Sequence, residues 1–145
     1  MMKIVHPTPS RYFLYAEDDP DDQEALTEMI TRIDPEMSVV ICNQGLALMQ
    51  FLEALPAGEH FPCCIILDMN MPMWDGLRTL EELKKHHLFQ HLPVIMFTTS
   101  SSGRDVNRTL ALGAEAFITK PLREMELKQV ANQFSLFCKR APTKK

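Results

Sequence analysis

Hydrophobic residues fall in five short clusters that alternate with segments of helical periodicity along the chain. The clusters predict strands at Tyr12–Ala16, Val39–Cys42, Cys63–Leu67, Val94–Phe97 and Ala116–Ile118. The third and fourth clusters are almost wholly apolar, which is typical of strands that are buried on both faces of a sheet. The pattern therefore predicts strands and helices in alternation around a parallel sheet.

Five other segments place apolar residues three or four positions apart, as helices with one buried face do. Pro20 suits the first turn of the first helix, and Asp21 and Asp22 favour its positive end. Pro56 and Gly113 are predicted to follow the ends of the second and fourth helices. The expected fold is an α/β domain with a doubly wound, five-stranded parallel sheet and helices on both faces.

Length and composition agree with a single globular domain. The chain has 145 residues, of which 46% are hydrophobic and 23% charged, and its net charge of -4 disfavours nucleic acid as the main partner. No apolar run approaches the roughly 20 residues that cross a bilayer, and the first ten residues lack a signal-peptide core. We expect a cytoplasmic protein without membrane insertion, with a flexible segment over 1–10, the domain over 11–138 and a basic tail over 139–145.

The four cysteines show neither a CxxC motif nor a spacing that suits zinc. Cys42, Cys63 and Cys64 lie in predicted strands, and Cys138 lies near the end of the last predicted helix. We expect all four to be buried small hydrophobic side chains in a protein that is kept in a reducing compartment.

Polar residues follow the predicted strands. Glu17 and Asp18 come directly after the first strand, Asp68 after the third, Thr98 after the fourth, and Lys120 shortly after the fifth. Because the carboxyl ends of parallel strands meet at one edge of a sheet, these side chains are expected to converge there.

Such a cluster has a specific chemical use. Carboxylates packed together repel one another and raise one another's pKa, and a divalent cation such as Mg²⁺ removes that penalty. A lysine ammonium can hold a phosphoryl oxygen, and a threonine hydroxyl can donate to another. The cluster is therefore predicted to stabilise a phosphoryl group, with Asp68 as the nucleophile that forms an aspartyl phosphate.

Four motifs carry a family resemblance: YAEDDP at 15–20, LDMNMPMWDG at 67–76, LPVIMFT at 92–98 and GAEAFITKP at 113–121. Taken together and in this order, they make the chain resemble the receiver domain of two-component response regulators, of the single-domain chemotaxis type. The resemblance implies the flavodoxin-like (βα)5 receiver fold with strand order 2-1-3-4-5. The acidic start is also similar to that of single-domain regulators paired with bacterial phytochromes.

The resemblance assigns the metal site. Asp68 is implied to be the phosphoacceptor and, with Glu17, Asp18 and the backbone carbonyl of Asn70, a ligand of Mg²⁺ or Mn²⁺. In the family the residue matching Asp18 usually contacts the metal directly, and the residue matching Glu17 acts through water. Asp19 could serve this site too, or could cap the first helix.

The resemblance also assigns the switch residues. Thr98 is implied to be the hydroxyl that turns toward the phosphoryl group, Lys120 the residue that holds a phosphoryl oxygen, and Phe117 the aromatic rotamer switch. The Lys120–Pro121 peptide bond is expected to be cis. Ser100 and Asn70 flank the route of attacking water in the family and are expected to tune the lifetime of the phosphoryl group.

The implied function is signalling. A sensor histidine kinase or histidine phosphotransfer protein donates the phosphoryl group, and the face formed by helix four, strand five and helix five contacts a downstream protein. The regulator would be monomeric or a phosphorylation-dependent homodimer, without a DNA-binding output domain. It is not an enzyme for a separate substrate, because it catalyses only its own phosphorylation and dephosphorylation.

Three alternatives remain open on the residues alone. A haloacid-dehalogenase-like phosphohydrolase would need an acid two residues after the nucleophile, where this chain has Asn70. A flavodoxin-like flavin or nucleotide binder would need a phosphate loop after the first strand, where this chain has Glu17 and Asp18. A receiver-like interaction module that is never phosphorylated would not need the complete acidic, threonine and lysine set.

Overall fold

The computed structural model describes residues 8–99, 102–138 and 144, in which strands and helices alternate. The strands are β1 (Tyr12–Ala16), β2 (Ser38–Cys42), β3 (Cys64–Leu67), β4 (Val94–Thr98) and β5 (Ala116–Thr119). The helices are α1 (Pro20–Ile33), α2 (Gly45–Ala54), α3 (Gly76–Lys85), α4 (Gly103–Ala111) and α5 (Glu124–Phe137). Every predicted strand is present, and no strand end differs from its predicted position by more than one residue.

The sheet has the order β2-β1-β3-β4-β5, and each neighbouring pair of strands is parallel. The doubly wound fold and the strand order implied by the resemblance are therefore confirmed. The register of the sheet pairs Ala16 of β1 with Leu67 of β3, Leu67 with Met96 of β4, and Thr98 of β4 with Thr119 of β5. The residues that follow β1, β3, β4 and β5 consequently share one edge of the sheet.

The core lies around the three inner strands. Every residue of β1, β3 and β4 is buried, whereas the edge strands β2 and β5 are partly exposed. On the sheet, α1 packs against α5 and α2 packs against α3. The ring of Phe134 in α5 lies 6.4 Å from that of Phe13 in β1 and 5.1 Å from that of Phe97 in β4. These edge-on aromatic contacts fix α5 over the centre of the sheet.

Residues at the ends of α1 and α4 have the roles that the sequence predicts. Asp19 is the N-cap of α1, where its carboxylate accepts a hydrogen bond from the backbone N–H of Asp21, and Pro20 follows as the first helical residue. Gly113 follows α4 with φ of 107°, a left-handed conformation that glycine adopts without a Cβ clash. Asp19 therefore has a capping role at the entrance to α1.

All four cysteines are buried as predicted, but nothing in the sequence indicated that two of them lie together. The sulfur atoms of Cys63, just before β3, and Cys138, just after α5, are in contact, so the two residues are positioned to form a disulfide although 75 positions separate them. Helix packing brings the two ends together, which no local spacing could indicate. Cys42 and Cys64 are buried thiols as expected, and burial raises the pKa of the Cys42 thiol to about 12.

None of the helices in the described part of the chain combines the length and the apolar character that a bilayer-spanning segment needs.

Candidate functional site

The three predicted carboxylates meet at the carboxyl edge of the sheet. Glu17 follows β1 and Asp68 follows β3, and both residues are almost entirely buried, with exposed fractions of 1% and 6%. Asp18, next to Glu17, is exposed. One carboxylate oxygen from each of the three lies within 4.8 Å of the other two. The sheet therefore brings together two buried acids and one that faces water.

Lys120 lies directly over this cluster. Its Nζ atom donates hydrogen bonds to Oε1 of Glu17, to Oδ2 of Asp22 at 2.8 Å and to Oδ2 of Asp68 at 3.1 Å. The lysine side chain is only 9% exposed, so these charged groups interact across a poorly hydrated space. Asp22 is the member of this cluster that the sequence analysis missed, since its position in the first turn of α1 explained its charge already.

The pKa values of Glu17 and Lys120 depend on this burial. Burial raises the pKa of the Glu17 carboxyl to about 7, although Lys120 and the backbone N–H of Asp19 act in the opposite direction. Burial also disfavours the Lys120 ammonium, but hydrogen bonds to Asp22 and Glu17 and the charge of Asp68 outweigh it and raise the lysine pKa. The lysine therefore keeps its positive charge beside the acids.

Two further donors hold Glu17. The hydroxyl of Tyr15 donates to Oε1 at 3.1 Å, and the backbone N–H of Asp19 donates to Oε2 at 3.1 Å. Burial raises the pKa of Tyr15, so its hydroxyl stays protonated as a donor. The sequence reasoning treated Tyr15 only as a strand residue, because the pattern of apolar positions does not show where a phenol oxygen points.

The predicted hydroxyl and aromatic residues lie on β4 and β5 beside the cluster. Thr98 ends β4 and is fully buried, and its backbone carbonyl accepts a hydrogen bond from the N–H of Lys120 at 2.8 Å. Phe117 lies on β5 opposite Met96 of β4 and is half-buried against the core. Thr98 does not cap α4, because Ser102 is the N-cap of that helix.

The other predicted residues are placed as follows. Asn70 is exposed two residues after Asp68, and its backbone N–H donates to Oδ1 of Asp68 at 3.4 Å. Pro121 is half-buried next to Lys120. Ser100 lies outside the described residues, and the cis geometry of the Lys120–Pro121 bond stays a prediction.

Gly76 lies in close contact with the backbone of Asp68 and Met69. A Cβ atom on Gly76, the first residue of α3, would lie 2.2 Å from the carbonyl oxygen of Asp68 and 2.8 Å from Cα of Met69. The N–H of Gly76 also donates to the carbonyl of Met69 at 3.0 Å. The start of α3 is therefore packed directly against the segment that carries Asp68, which only a residue without a side chain allows.

The donor set fits a hard divalent cation. Carboxylate oxygens that approach one another this closely are the ligands Mg²⁺ and Mn²⁺ prefer, and exposed Asp18 leaves room for water ligands. Glu17, Asp18 and Asp68 would hold such an ion, whose charge would offset the repulsion among them.

Comparison with known proteins identifies the family of the chain. A family model described as the response regulator receiver domain matches residues 13–132. The response regulator Rcp1 of Synechocystis is 31% identical over 114 residues, which cover 77% of this chain and 78% of Rcp1. The chain spans about half the length, or less, of several other curated relatives that it matches.

Solved structures show the same likeness. The Mn²⁺-bound form of the response regulator Rcp1 matches with a TM-score of 0.77 and 26% identity, over 92% of this chain and 99% of that one. The phosphorylated cyanobacterial phytochrome response regulator RcpA matches with a TM-score of 0.80 and 25% identity, over 93% of this chain and 99% of that one.

Proposed function

The chain belongs to the response regulator receiver domain family, and we propose that it is a phosphoacceptor that receives its phosphoryl group on Asp68. The observation that carries the proposal is the position of Asp68, buried at the end of β3 under the Lys120 ammonium and beside two further carboxylates. A nucleophile needs a counter-charge close by when it gains a phosphoryl group, and this edge of the sheet supplies it.

The donor is a phosphohistidine of a sensor histidine kinase or of a histidine phosphotransfer protein. A carboxylate oxygen of Asp68 attacks the phosphorus atom, and the phosphorus–nitrogen bond breaks. The bonding electron pair returns to the imidazole, which takes up a proton, and Asp68 becomes an aspartyl phosphate. Dephosphorylation is a separate hydrolysis: water attacks the phosphorus, the phosphorus–oxygen bond to Asp68 breaks, the Asp68 carboxylate is regenerated, and inorganic phosphate leaves with the proton that the water gives up.

Different residues of the site bind the phosphoryl group and the metal ion. Lys120 holds a phosphoryl oxygen as a point charge. Glu17, Asp18, Asp68 and the backbone carbonyl of Asn70 would hold Mg²⁺ or Mn²⁺, which would neutralise the developing negative charge when bound. The similar Rcp1 structure is a Mn²⁺-bound form, which supports this assignment.

Phosphorylation is read out on the face of α4, β5 and α5. We assign Thr98 as the hydroxyl that turns toward the phosphoryl group and Phe117 as the aromatic switch that follows it. Both side chains lie on neighbouring strands, and β5 is the partly exposed edge strand, so a change there reaches the surface. Asn70 and Ser100 tune the lifetime of the phosphoryl group, and a downstream protein binds the altered face.

The similar proteins suggest the type of kinase. RcpA is described as a cyanobacterial phytochrome response regulator, so we propose a phytochrome-type histidine kinase as the donor. The site would then act in the cytoplasm, where the protein is a monomer or a phosphorylation-dependent homodimer. A phosphohydrolase is less well supported, because Asn70 offers no acid where such an enzyme needs one.

Incubation with acetyl phosphate and Mg²⁺ tests the proposal. The phosphorus–oxygen bond of acetyl phosphate breaks, acetate leaves, and the intact protein gains the mass of one phosphoryl group. We expect Asp68→Asn to abolish this gain and Asp21→Asn, which removes an exposed carboxylate from the same edge, to retain it. Labelling of Asp68→Asn at the rate of the unaltered protein would overturn the assignment.

A further inference from the structure

We propose that Asp22 is a positioning residue for phosphoryl transfer, which holds the ammonium of Lys120 over Asp68. The inference rests on the proposed function and adds a residue that the receiver motifs do not contain. The Oδ2 atom of Asp22 accepts a hydrogen bond from Nζ of Lys120 at 2.8 Å, a shorter bond than the 3.1 Å one to Asp68. It joins the first turn of α1 to the segment after β5.

The ammonium of Lys120 has three donors and three carboxylate acceptors. An ammonium group carries three N–H bonds, and Glu17, Asp22 and Asp68 each accept one. A lysine side chain has several freely rotating bonds, and one such contact does not define the position of its charge. Three acceptors do define it, because Glu17 follows β1, Asp22 lies in α1 and Asp68 follows β3.

Asp22 differs from the other two acceptors in what else its oxygens can bind. Glu17 and Asp68 belong, with Asp18, to the group of carboxylates that can hold a cation. Asp22 lies outside that group, and its carboxylate is 39% exposed at the rim of the site. Its bond to Lys120 therefore does not compete with metal binding or with the phosphoryl group on Asp68.

Asp22 stands at the start of α1, beside a small cavity. It is the third residue of α1, whose N-terminus carries partial positive charge. It also lines a small cavity of about 50 Å³ with Lys120 and Pro121, beside Leu26 and Phe97. Asp22 and Lys120 therefore meet at the wall of one small cavity, where the Asp22 carboxylate contacts the same Nζ atom that lies over Asp68.

The test compares Asp22→Ala with Asp21→Ala. Asp21 carries the same charge in the same helical turn and is exposed, so its removal reproduces the general loss of negative charge. Initial rates of labelling are measured over a range of acetyl phosphate concentrations with saturating Mg²⁺. The dissociation constant for Mg²⁺ is measured by calorimetry, and the hydrogen exchange of the Lys120 ammonium by NMR. Asp22→Asn, whose amide oxygen can still accept a hydrogen bond, is the conservative variant.

We expect Asp22→Ala to lower the maximal labelling rate roughly fivefold relative to Asp21→Ala, because one charge-assisted contact of a half-exposed group is lost. The Mg²⁺ dissociation constant should agree between the two variants within about twofold. The Lys120 ammonium should exchange faster in Asp22→Ala, and Asp22→Asn should recover part of the rate.

Two results would overturn the inference while leaving the proposed function intact. One is a labelling rate of Asp22→Ala equal to or above that of Asp21→Ala. The other is a loss of Mg²⁺ affinity in Asp22→Ala that accounts for the whole decrease in rate. If the unaltered protein is not labelled at all, the proposed function fails and the role of Asp22 fails with it.

Discussion

The ammonium of Lys120 donates a hydrogen bond to Oδ2 of Asp68 at 3.1 Å, although 52 positions separate the two residues and β4 lies between their strands. The backbone N–H of Lys120 is held by the carbonyl of Thr98 at the end of β4. The backbone of Lys120, just after β5, is therefore tied to the end of β4, and its side chain reaches across β4 to Asp68. The relationship explains why a residue after β5 can act on a carboxylate after β3.

Lys120→Met should destabilise the protein when no divalent cation is present. The substitution keeps much of the side-chain volume but leaves buried Glu17 and Asp68 without their shared counter-charge. Removing one partner of a buried ion pair costs about 3 kcal/mol, and we expect a decrease of that size in the free energy of unfolding. Urea denaturation at neutral pH measures it. Lys128→Met, on the exposed side of α5, is the matched control and should change stability little.

Gly76→Ala should disturb the acceptor segment. The new Cβ would meet the backbone of Asp68 and Met69 at distances that no real contact shows, so the backbone has to shift. We expect a loss of about 2 kcal/mol in the free energy of unfolding and slower labelling of Asp68. Gly103→Ala is the control, since a Cβ there meets nothing within 4 Å at the start of α4. Equal free energies of unfolding for the two variants would show that the close approach at Gly76 does not affect stability.

Mg²⁺ should stabilise the folded protein through the acidic cluster. At a concentration about ten times the dissociation constant, a ligand that binds only the native state adds about 1.4 kcal/mol. The melting temperature should therefore rise with Mg²⁺ and fall back when a chelator is added. Asp18→Asn should weaken this effect, because Asp18 is one of the three clustered ligands, whereas Asp21→Asn should retain most of it. If Mg²⁺ does not change the melting temperature of the unaltered protein, the metal assignment is contradicted.

Reduction of the Cys63–Cys138 disulfide should lower stability. A cross-link that closes a loop of 75 positions restricts the unfolded chain and contributes about 4 kcal/mol in the chain-entropy description. The oxidised protein should lose stability on this scale when a reductant is added. A Cys63→Ser, Cys138→Ser double variant should be insensitive to reductant. Labelling of Asp68 should persist in it, since Cys63 precedes β3 and Asp68 follows it, at the opposite end of the strand.

Much of the fold could be predicted from local patterns. The strands could be located because a strand buried on both faces needs consecutive apolar side chains. The start of α1 could be placed at Pro20, because the first helical position needs no N–H donor. Glu17, Asp18, Asp68, Thr98 and Lys120 could be grouped because strand ends share an edge. The strand order came from the family resemblance.

Other features of the site could not be predicted. The contact between Asp22 and Lys120 depends on how closely the start of α1 approaches the segment after β5, which is set by helix packing. The disulfide between Cys63 and Cys138 depends on the same packing at the other end of α5. In both cases the partners are far apart in the chain, and neither residue carries a local signal for the other.

The sequence by itself determined which residue types stand at the end of each strand, because short-range periodicity and capping chemistry decide where strands and helices begin and end. Only the tertiary structure decided that Glu17 is buried while its neighbour Asp18 faces water, and that one lysine serves three carboxylates. Desolvation and charge pairing depend on distances between elements that are remote in the chain. The packing of helices on the sheet sets those distances, and it therefore sets the chemistry available to Asp68.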